Sequence, residues 1–539
     1  MKLGTTILTT IHNILRTSPS GGGQGLRLSG QRLSLARLLL PVLILGITLY
    51  ACDDYDTFTD DRSSTLTFSS DTIVFDTLIA TIPSATQTLA VYNRGDKGLR
   101  ISEVWLERGD DSRFRVNIDG QDLSQAYQRH AADFEVRRRD SIIVRIEVTL
   151  PESKTDDATA YADALHFRLE SGVEQRVELL ATALDGFFMR GVVITSDTTF
   201  SARRPIIVYD SLVVAPDVTL RLEAGTRLLF HEAAGLTVHG RLLATGTLEA
   251  PIVFRTDRTD HIFPYLPYDR LPSRWEGLRF TASSLGNDLN YVDIHGGNFG
   301  IICDSTGVSD PKLTLTNCRI YEVGGDGVRL TDCRSTISNS EIANTLGHTL
   351  CLVGGNHTIT HCTLAQFYHL SYLRGYALYI TNVSDGVYHP MTGATFDSCV
   401  ITGYDEDVVQ GDWIDVSGMS SDEAAAIGTP QDNFLFDHCF LATEIPTEGD
   451  YAARFVACIY DDPEAEITRD KHFTLIDTHA ILYDFTPVEA SPIRGTANPI
   501  SRDLFPLDLR GRSRHTDEQP DAGAYEYVAV SDSLRSSRS

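Results

Sequence analysis

Charged side chains of the kinds that cleave polysaccharides occur in consecutive short repeats in the second half of the chain. Asp304, Asp326, Arg329 and Asp332 form one group, and residues 405–407 (Asp-Glu-Asp) form another in an inserted loop. Hydrolysis of a glycosidic bond needs two carboxylates at a gap of roughly 5–10 Å. Elimination by a lyase needs a base, a role open to Lys or Arg, and carboxylates that hold a calcium ion. The first four residues are therefore weak candidates for a catalytic set.

Other sequence features limit this interpretation. The paired-Asp, Gly-His-Gly and Arg-Ile-Lys motifs of pectin hydrolases are absent, and His348 is followed by threonine. His357 and His361 lie four residues apart, roughly 13 Å along a strand, which is too far to share one metal ion. We expect both histidines at corners or on the surface, and we predict no metal site. The aromatic-rich insertion at residues 261–275 either packs over the flank of the fold or stacks on sugar rings.

A short unit recurs in this half of the chain: an alternating strand, a polar corner, an inward residue and an aliphatic residue. Asn317, Asn339 and His361 occupy the corner at intervals of 22 residues, and Ser398 and His438 follow after 37 and 40. Strands this short cannot bury a face alone, so this period is typical of a stacked solenoid. No unit contains a 3.6-residue apolar stripe long enough for a helix. The pattern predicts an all-β fold, with a right-handed parallel β-helix over residues 185–527.

A different pattern precedes the solenoid, at residues 66–184. Six short strands alternate between apolar and polar residues, most clearly at residues 141–148 (SIIVRIEV) and 175–181 (QRVELLA). Six or seven such strands in about 115 residues suit a β-sandwich. The order of elements, with Val-Tyr-Asn-Arg-Gly at residues 91–95, resembles the immunoglobulin-like modules of the abnormal-spindle/hydin type. Such modules serve as spacers or docking units, which is the role that the resemblance implies.

Eight of the nine cysteines follow residue 300. Cys318, Cys362, Cys399 and Cys439 share the inward position of the repeat, where a small apolar thiol packs well. Stacked thiols lie near disulfide distance, but their parallel Cβ vectors do not suit the torsion of a disulfide. We expect free buried thiols, and an oxidised pair such as 362–399 is the alternative.

Composition excludes one class of partner. The 539-residue chain has a formal net charge of −27 at pH 7, whereas nucleic-acid binding requires a basic patch. The same charge argues against peripheral binding to acidic lipid.

An apolar fraction of 42% is typical of an ordinary globular protein. No stretch after Tyr50 is long and apolar enough for a second membrane segment.

Cys52 closely follows an apolar run, residues 38–50. This run is too short to span a bilayer comfortably and suits an export signal. Arginines precede the run, and residues 49–52 (Leu-Tyr-Ala-Cys) resemble the lipobox of bacterial lipoproteins. The resemblance implies that residues 1–51 are a signal peptide and that Cys52 is acylated at the new N terminus. An ordinary signal or anchor helix followed by a chance cysteine is the alternative.

The residues after Cys52 bear on location. Residues 52–65 are acidic and rich in threonine, which is typical of a flexible tether. An acidic run at this place resembles the surface-export signal of Bacteroidota lipoproteins. It implies a lipid-anchored protein of the cell outer membrane, exposed at the surface, with a periplasm-facing protein as the alternative. Residues 528–539 are expected to form a disordered tail.

Both ends of the predicted solenoid carry further resemblances. Residues 218–230, 236–247 and 251–254 look like the entry coils of bacterial cell-surface β-helix proteins, and residues 508–514 and 520–526 resemble their closing motif. A solenoid end exposes an unpaired coil, so an atypical terminal segment is required. The chain thus resembles Bacteroidota right-handed parallel β-helix lipoproteins. This resemblance implies a surface protein that binds glycans or proteins without a cofactor; the alternative is a polysaccharide lyase, with calcium, or a glycoside hydrolase.

Overall fold

The computed structural model describes residues 57–123, 129–263, 265–417, 419–447, 449–516 and 518–529. Cys52, the predicted signal peptide and most of the predicted tail lie outside these residues. The described chain is a β-sandwich followed by a right-handed parallel β-helix, so the predicted fold class is confirmed. Among the described residues, no helix is long and apolar enough to cross a membrane.

An immunoglobulin-like sandwich of two sheets occupies the N-terminal part of the described chain. In strand Ser141–Val148 every second residue is buried between the sheets, as the alternating sequence requires. One sheet contains Thr67–Phe68, Gln87–Tyr92, Ser141–Val148, Phe114–Ile118 and Gln121–Asp122. The other contains Thr72–Ile79, Glu174–Leu184, Thr159–Leu169, Leu99–Leu106, His130–Ala131 and Phe134–Val136.

The solenoid has three parallel faces, named sheet 1, sheet 2 and sheet 3 in the order in which each coil visits them. Sheet 1 contains Thr198–Phe200, Thr219–Leu222, Arg241–Thr245, Asn287–Asn290, Gly307–Thr316, Cys333–Ser338, Gly355–Thr360, Met391–Asp397, Asp432–Asp437 and Phe455–Val456. Sheet 2 contains Arg227–Phe230, Ile252–Thr256, Val292–His295, Arg319–Val323, Glu341–Thr345, Thr363–Gln366, Val400–Gly403, Phe440–Leu441 and Ile459–Tyr460. Sheet 3 contains Leu236–Val238, Leu278–Phe280, Ile301–Cys303, Val328–Thr331, Leu350–Val353, Leu378–Thr381 and Val409–Asp412. Phe187–Ile194 and Ile206–Val214 are long enough to start both sheets 2 and 3.

The corners between sheets 1 and 2 explain the polar residues of the repeat. Asn317, Asn339 and His361 have φ values of 56°, 47° and 50°, in the left-handed region that asparagine tolerates better than most residues. The Asn339 amide donates a hydrogen bond of 2.7 Å to the Asn317 side-chain oxygen one coil away. The spacing in the sequence is therefore the spacing of successive chain reversals.

The cysteines of the repeat lie inside the solenoid. Cys318, Cys362, Cys399 and Cys439 are fully buried, and all eight cysteines of the described chain are free thiols. Each of the four sulfurs points at backbone carbonyls, as the Cys318 thiol does towards Leu289 at 3.3 Å. Burial raises the pKa of Cys318 to about 12, which keeps its thiol protonated and unreactive at neutral pH.

The chain after the last coil, residues 462–527, forms a closing segment. We expected a terminal segment that covers the end of the solenoid, but the described residues of this segment lie along the outer face of sheet 2 instead. Phe485, Ile493 and Ala524 pack there against outward residues of that sheet such as Ala365 and Val400. The reason is that several outward positions of this face, such as Ala343, Ala365 and Val400, are small or apolar and gain by burial. The segment contains Phe473–Asp477, Leu482–Pro487 and the short helix Ser501–Leu504.

Glu322, in strand Arg319–Val323 of sheet 2, is a buried carboxyl that makes the stability of the fold depend on pH. Glu322 is 1% exposed, accepts a 2.9 Å hydrogen bond from Asn344, and burial raises its pKa well above the usual 4.5. The folded state therefore binds a proton that the unfolded state releases, so the stability that this group contributes is lost as pH rises towards the folded pKa.

Glu322→Gln removes this proton uptake with little change of shape. Relative to the unchanged protein, the variant is expected to gain up to about 1.4 kcal/mol of unfolding free energy per pH unit between about pH 5 and the folded pKa. Urea unfolding at several pH values measures this gain. A stability difference that does not change with pH would show that Glu322 is ionised in the folded protein.

Candidate functional site

The outer face of sheet 3 is left open by the closing segment. Val328 and Leu330 are fully buried inside the solenoid, and Arg329 between them lies half-buried on the outer face, as strand alternation requires. Strand register aligns one outward residue from each coil into a ladder. This ladder consists of Arg279, Ile302, Arg329, Cys351, Tyr379 and Gln410.

A second row of side chains lies where successive coils enter sheet 3. Asp326, His348 and Tyr376 each follow a glycine, and the coils approach closely there. A Cβ on Gly347 would lie 2.4 Å from the Asp326 Oδ1 atom, and one on Gly375 would lie 2.3 Å from the Gly347 backbone. Glycine is therefore required for the three side chains to stack beside the ladder.

Aromatic rings of the two rows meet at His348. Its ring lies 4.5 Å from that of Tyr379 and 5.8 Å from that of Tyr376, and both pairs are within 11° of parallel. The backbone N–H of Tyr376 donates to His348 Nδ1 at 3.0 Å, so in this tautomer the proton is on Nε2. Burial lowers the pKa of His348 although Asp326 opposes the shift, which keeps the ring neutral at pH 7.

Charged groups border these rings. Asp326 accepts from Arg329 at 3.2 Å and from the His348 backbone N–H at 2.8 Å. Burial disfavours the charge of Arg329, but the neighbouring Cys351 sulfur and Asp326 carboxylate outweigh burial and raise its pKa. A guanidinium held in its charged form binds oxygen atoms well and is a poor proton acceptor.

Tyr379 is fixed from the opposite side. Its hydroxyl donates a short hydrogen bond to the carboxylate of Asp412, the last residue of the last sheet 3 strand. Burial and this carboxylate raise the pKa of Tyr379 to about 12. Together the two rows form a rigid surface of rings, a guanidinium and carboxylates, and we name Asp326, Arg329, His348, Tyr376, Tyr379 and Asp412 the ring face.

The structure brings together only two of the four predicted catalytic candidates, Asp326 and Arg329. Asp304 pairs instead with Arg279 at 2.8 Å, and Asp332 with His389 at 2.6 Å. Asp304 and Asp332 thus each have a partner of their own, Arg279 and His389, and neither pairs with Arg329.

The three carboxylates of the acidic loop, residues 405–407, also have partners, which lie in other segments of the chain. Asp405 binds Arg374 at 2.8 Å, and Glu406 binds Arg469 at 2.7 Å. Asp407 accepts from the Thr443 hydroxyl at 2.7 Å. These carboxylates tie loops to one another at the C-terminal end of the solenoid.

The histidines and the insertion have other roles. His361 is a corner residue as expected, but His357 is not at a corner or on the surface: it is buried between Ser335 and the Gly354 carbonyl, at 2.8 Å from each. Burial lowers the pKa of His357 to about 4.

The two parts of the aromatic-rich insertion differ in exposure. Trp275 is buried in the solenoid, whereas Phe263 is about half exposed. Within the described residues, no group of three or more His, Cys, Asp and Glu could hold a metal ion.

Sequence reasoning missed most of the ring face. Tyr376, Tyr379 and Asp412 belong to two coils separated by a loop insertion, which conceals their register. Their only local signals are the glycine before Tyr376 and the alternation around Tyr379. The sequence around His348 shows only that a Gly-His-Gly motif is absent, because threonine follows it.

Comparison with known proteins supports the architecture. A family model described as "Right handed beta helix region" matches residues 299–389, the coils that carry most of the ring face. No curated protein matches the chain.

Solved structures match only a small share of the chain. A PapD-like domain of human CEP192 is 14% identical, covering 23% of this chain and 89% of that one, with a TM-score of 0.16. The E. coli chaperone DraB is 16% identical over 22% of this chain and 54% of its own, with a TM-score of 0.15. A protein of unknown function from Porphyromonas gingivalis W83 is 13% identical over 24% and 60%, with a TM-score of 0.16. These scores are too low to bear on function; what is established is a solenoid that contains a right-handed β-helix region.

Proposed function

We propose that this protein is a lipid-anchored surface protein whose β-helix binds an extended glycan along the ring face. One observation carries the proposal: three parallel rings, Tyr376, His348 and Tyr379, lie on an open sheet beside Arg329 and Asp326. Rings offer flat apolar area for the C–H faces of sugars, and the charged groups offer donors and acceptors for hydroxyls. A ladder with one residue per coil suits a linear polymer. A protein ligand is the other partner that such a face would accept.

The same contacts favour binding over catalysis. Arg329 is held charged by its neighbours, and Asp304 and Asp332 are paired elsewhere. One observation favours the alternative of a polysaccharide lyase or glycoside hydrolase: His348 is held neutral at pH 7, as a general base must be. Released unsaturated or reducing sugar after incubation with acidic and neutral polysaccharides would establish the enzyme and refute a purely binding role.

Tyr379→Ala tests the ring face. Because the tyrosine ring contributes both stacking area and the contact to His348, the variant is expected to bind the responding polysaccharide about tenfold more weakly. Affinity electrophoresis against a panel of polysaccharides measures the change. Tyr265→Ala is the matched control, since Tyr265 is a 41% exposed ring in the insertion, outside the ring face. Equal binding by both variants would contradict the proposal.

The lipid anchor is a separate part of the proposal and is supported by the sequence around Cys52. Cys52→Ala should abolish incorporation of radiolabelled palmitate and release the protein from membranes. Unchanged labelling would refute acylation at this residue. Digestion of intact cells by added protease distinguishes the proposed surface exposure from the periplasm-facing alternative.

A further inference from the structure

The C-terminal end of the solenoid is open on one side. Sheet 3 ends at Val409–Asp412, whereas sheets 1 and 2 each continue for two more strands, up to Phe455–Val456 and Ile459–Tyr460. In place of a further sheet 3 strand, the described residues 442–447 and 449–454 connect sheet 2 to sheet 1 and include the short helix Gly449–Ala452. A cavity of about 430 Å³ remains between this connection and the end of the solenoid. Its volume is within the range of small-molecule sites.

The inner wall of this cavity is aromatic. Trp413 and Phe434 stack with ring centroids 5.7 Å apart and 9° between planes, and Tyr451 meets Phe434 edge-on at 5.8 Å. Phe436 and Phe455 continue the wall inward, 5.0 Å apart. Aromatic side chains from the end of the solenoid thus line the cavity.

The rim of the cavity is polar and carries no positive charge. Asp407, Gln410, Thr443 and Glu444 line it, and none of the described lining residues is Lys, Arg or His. The Gln410 amide donates to Asp407 at 2.5 Å, which fixes both side chains. Arg454 stacks on Phe434 at 4.5 Å but does not line the cavity, and its charge is paired with Asp432. The acidic lining therefore disfavours a negatively charged ligand, while rings and fixed acceptors suit a neutral group that is rich in hydroxyls.

Gln410 also connects the cavity to the ring face, because it follows Tyr379 in the outward ladder of sheet 3. Arg329 and Gln410 are three strand spacings apart, roughly 14 Å. A polymer that lies along the ladder therefore reaches the mouth of the cavity, where the sheet ends. Past Gln410 the described part of sheet 3 has no further strand, and Phe436 and Phe455 line the cavity there.

We propose that this cavity is a chain-end site, which takes the terminal neutral sugar of a glycan that lies along the ring face. The inference rests on the proposed function and adds two things to it. The ligand is a neutral saccharide, and it binds in one direction, with one chain end in the cavity. Trp413 is the stacking residue, and Asp407 and Gln410 orient the sugar hydroxyls. No bond is made or broken.

The test asks whether binding depends on the number of chain ends or on the total mass of polysaccharide. Neutral polysaccharides (β-glucan, mannan and xylan) are each used intact and after partial hydrolysis to about ten times as many ends, at equal mass. If ends are bound, mass action lowers the half-saturating mass concentration of the responding polymer about tenfold after hydrolysis. Trp413→Ala should remove this gain and leave binding of the intact polymer within about twofold, and Trp413→Phe should restore part of it.

The outcomes separate the two proposals. Binding that is independent of the number of ends, in the wild type and in Trp413→Ala alike, overturns the chain-end site and leaves the ring face in place. A gain with ends that survives in Trp413→Ala places end recognition elsewhere and also overturns it. If none of these three neutral polysaccharides binds, the chain-end site fails; the proposed function fails as well only if none of the acidic and neutral polysaccharides of the wider panel binds. The wild-type comparison needs no variant, so misfolding of Trp413→Ala cannot conceal the result.

Discussion

Replacing Arg514 by methionine is expected to lower the free energy of unfolding by about 3–5 kcal/mol, the cost of removing one partner of a buried ion pair. Arg514 belongs to the closing segment and is 0% exposed. Its guanidinium donates to the Glu526 carboxylate at 2.5 Å and to the Asn339 side-chain oxygen at 2.7 Å. It also binds the Gly523 carbonyl at 3.1 Å. The change leaves a carboxyl group and a corner amide buried without their cation.

Arg514 thus joins the closing segment to Asn339, one of the corner residues between sheets 1 and 2. Urea unfolding measures the loss, and limited proteolysis shows whether the closing segment detaches first. Burial raises the pKa of Glu526 to about 7 even beside Arg514, so the loss is expected to be larger at higher pH, where the lone carboxylate is charged.

Two further variants make the result specific. Arg502→Met removes a guanidinium of the same segment that is 31% exposed, so it should cost less than about 1 kcal/mol. The double variant Arg514→Met, Glu526→Gln removes both charges and should recover part of the loss. A loss below about 1 kcal/mol for Arg514→Met would mean that apolar contacts alone hold the segment.

Trp275→Ala is the second large expected effect, about 3–5 kcal/mol of unfolding free energy, because it empties the largest site in the solenoid interior. Trp275 is 1% exposed and stacks on Phe230 at 4.4 Å. Its indole N–H donates to the His295 carbonyl at 2.7 Å, which links the insertion to sheet 2. The substitution therefore removes packing and leaves a carbonyl without its donor.

Calorimetry or urea unfolding measures this effect, and two controls interpret it. Trp275→Phe keeps a ring but not the donor, so its loss should be clearly smaller. Trp105→Ala removes a ring that stacks on His166 on the outside of the sandwich, and it should cost less than Trp275→Ala. A small loss for Trp275→Ala would show that the neighbouring coils collapse into the space.

Much of the fold could be predicted because its signals are local. Ser141–Val148 has in the structure the bounds that apolar alternation indicates, and the alternating residues 175–181 lie within the strand Glu174–Leu184. Asn317 and Asn339 mark corners because a left-handed backbone favours asparagine, a property of a single residue. Burial of the repeated cysteines follows from their fixed position in the unit.

The candidate site depended on information that is not local. Asp304, Asp326, Arg329 and Asp332 are close in sequence, yet each carboxylate pairs with whichever basic side chain the register places beside it. Asp332, for example, binds His389, 57 positions away and beyond an insertion. Tyr379 and Asp412 meet for the same reason, across 33 positions. Insertions of unequal length change this register without leaving a periodic signal.

The sequence by itself determined the class of fold and the direction in which the side chains of the clearly alternating strands point, because these depend on neighbouring residues. Only the tertiary structure decided which face remains open. The closing segment covers sheet 2 because apolar outward residues there gain by burial, and this leaves the polar and aromatic face of sheet 3 exposed. The cavity at the end of sheet 3 arises in the same way, since it exists only where one sheet ends before the other two.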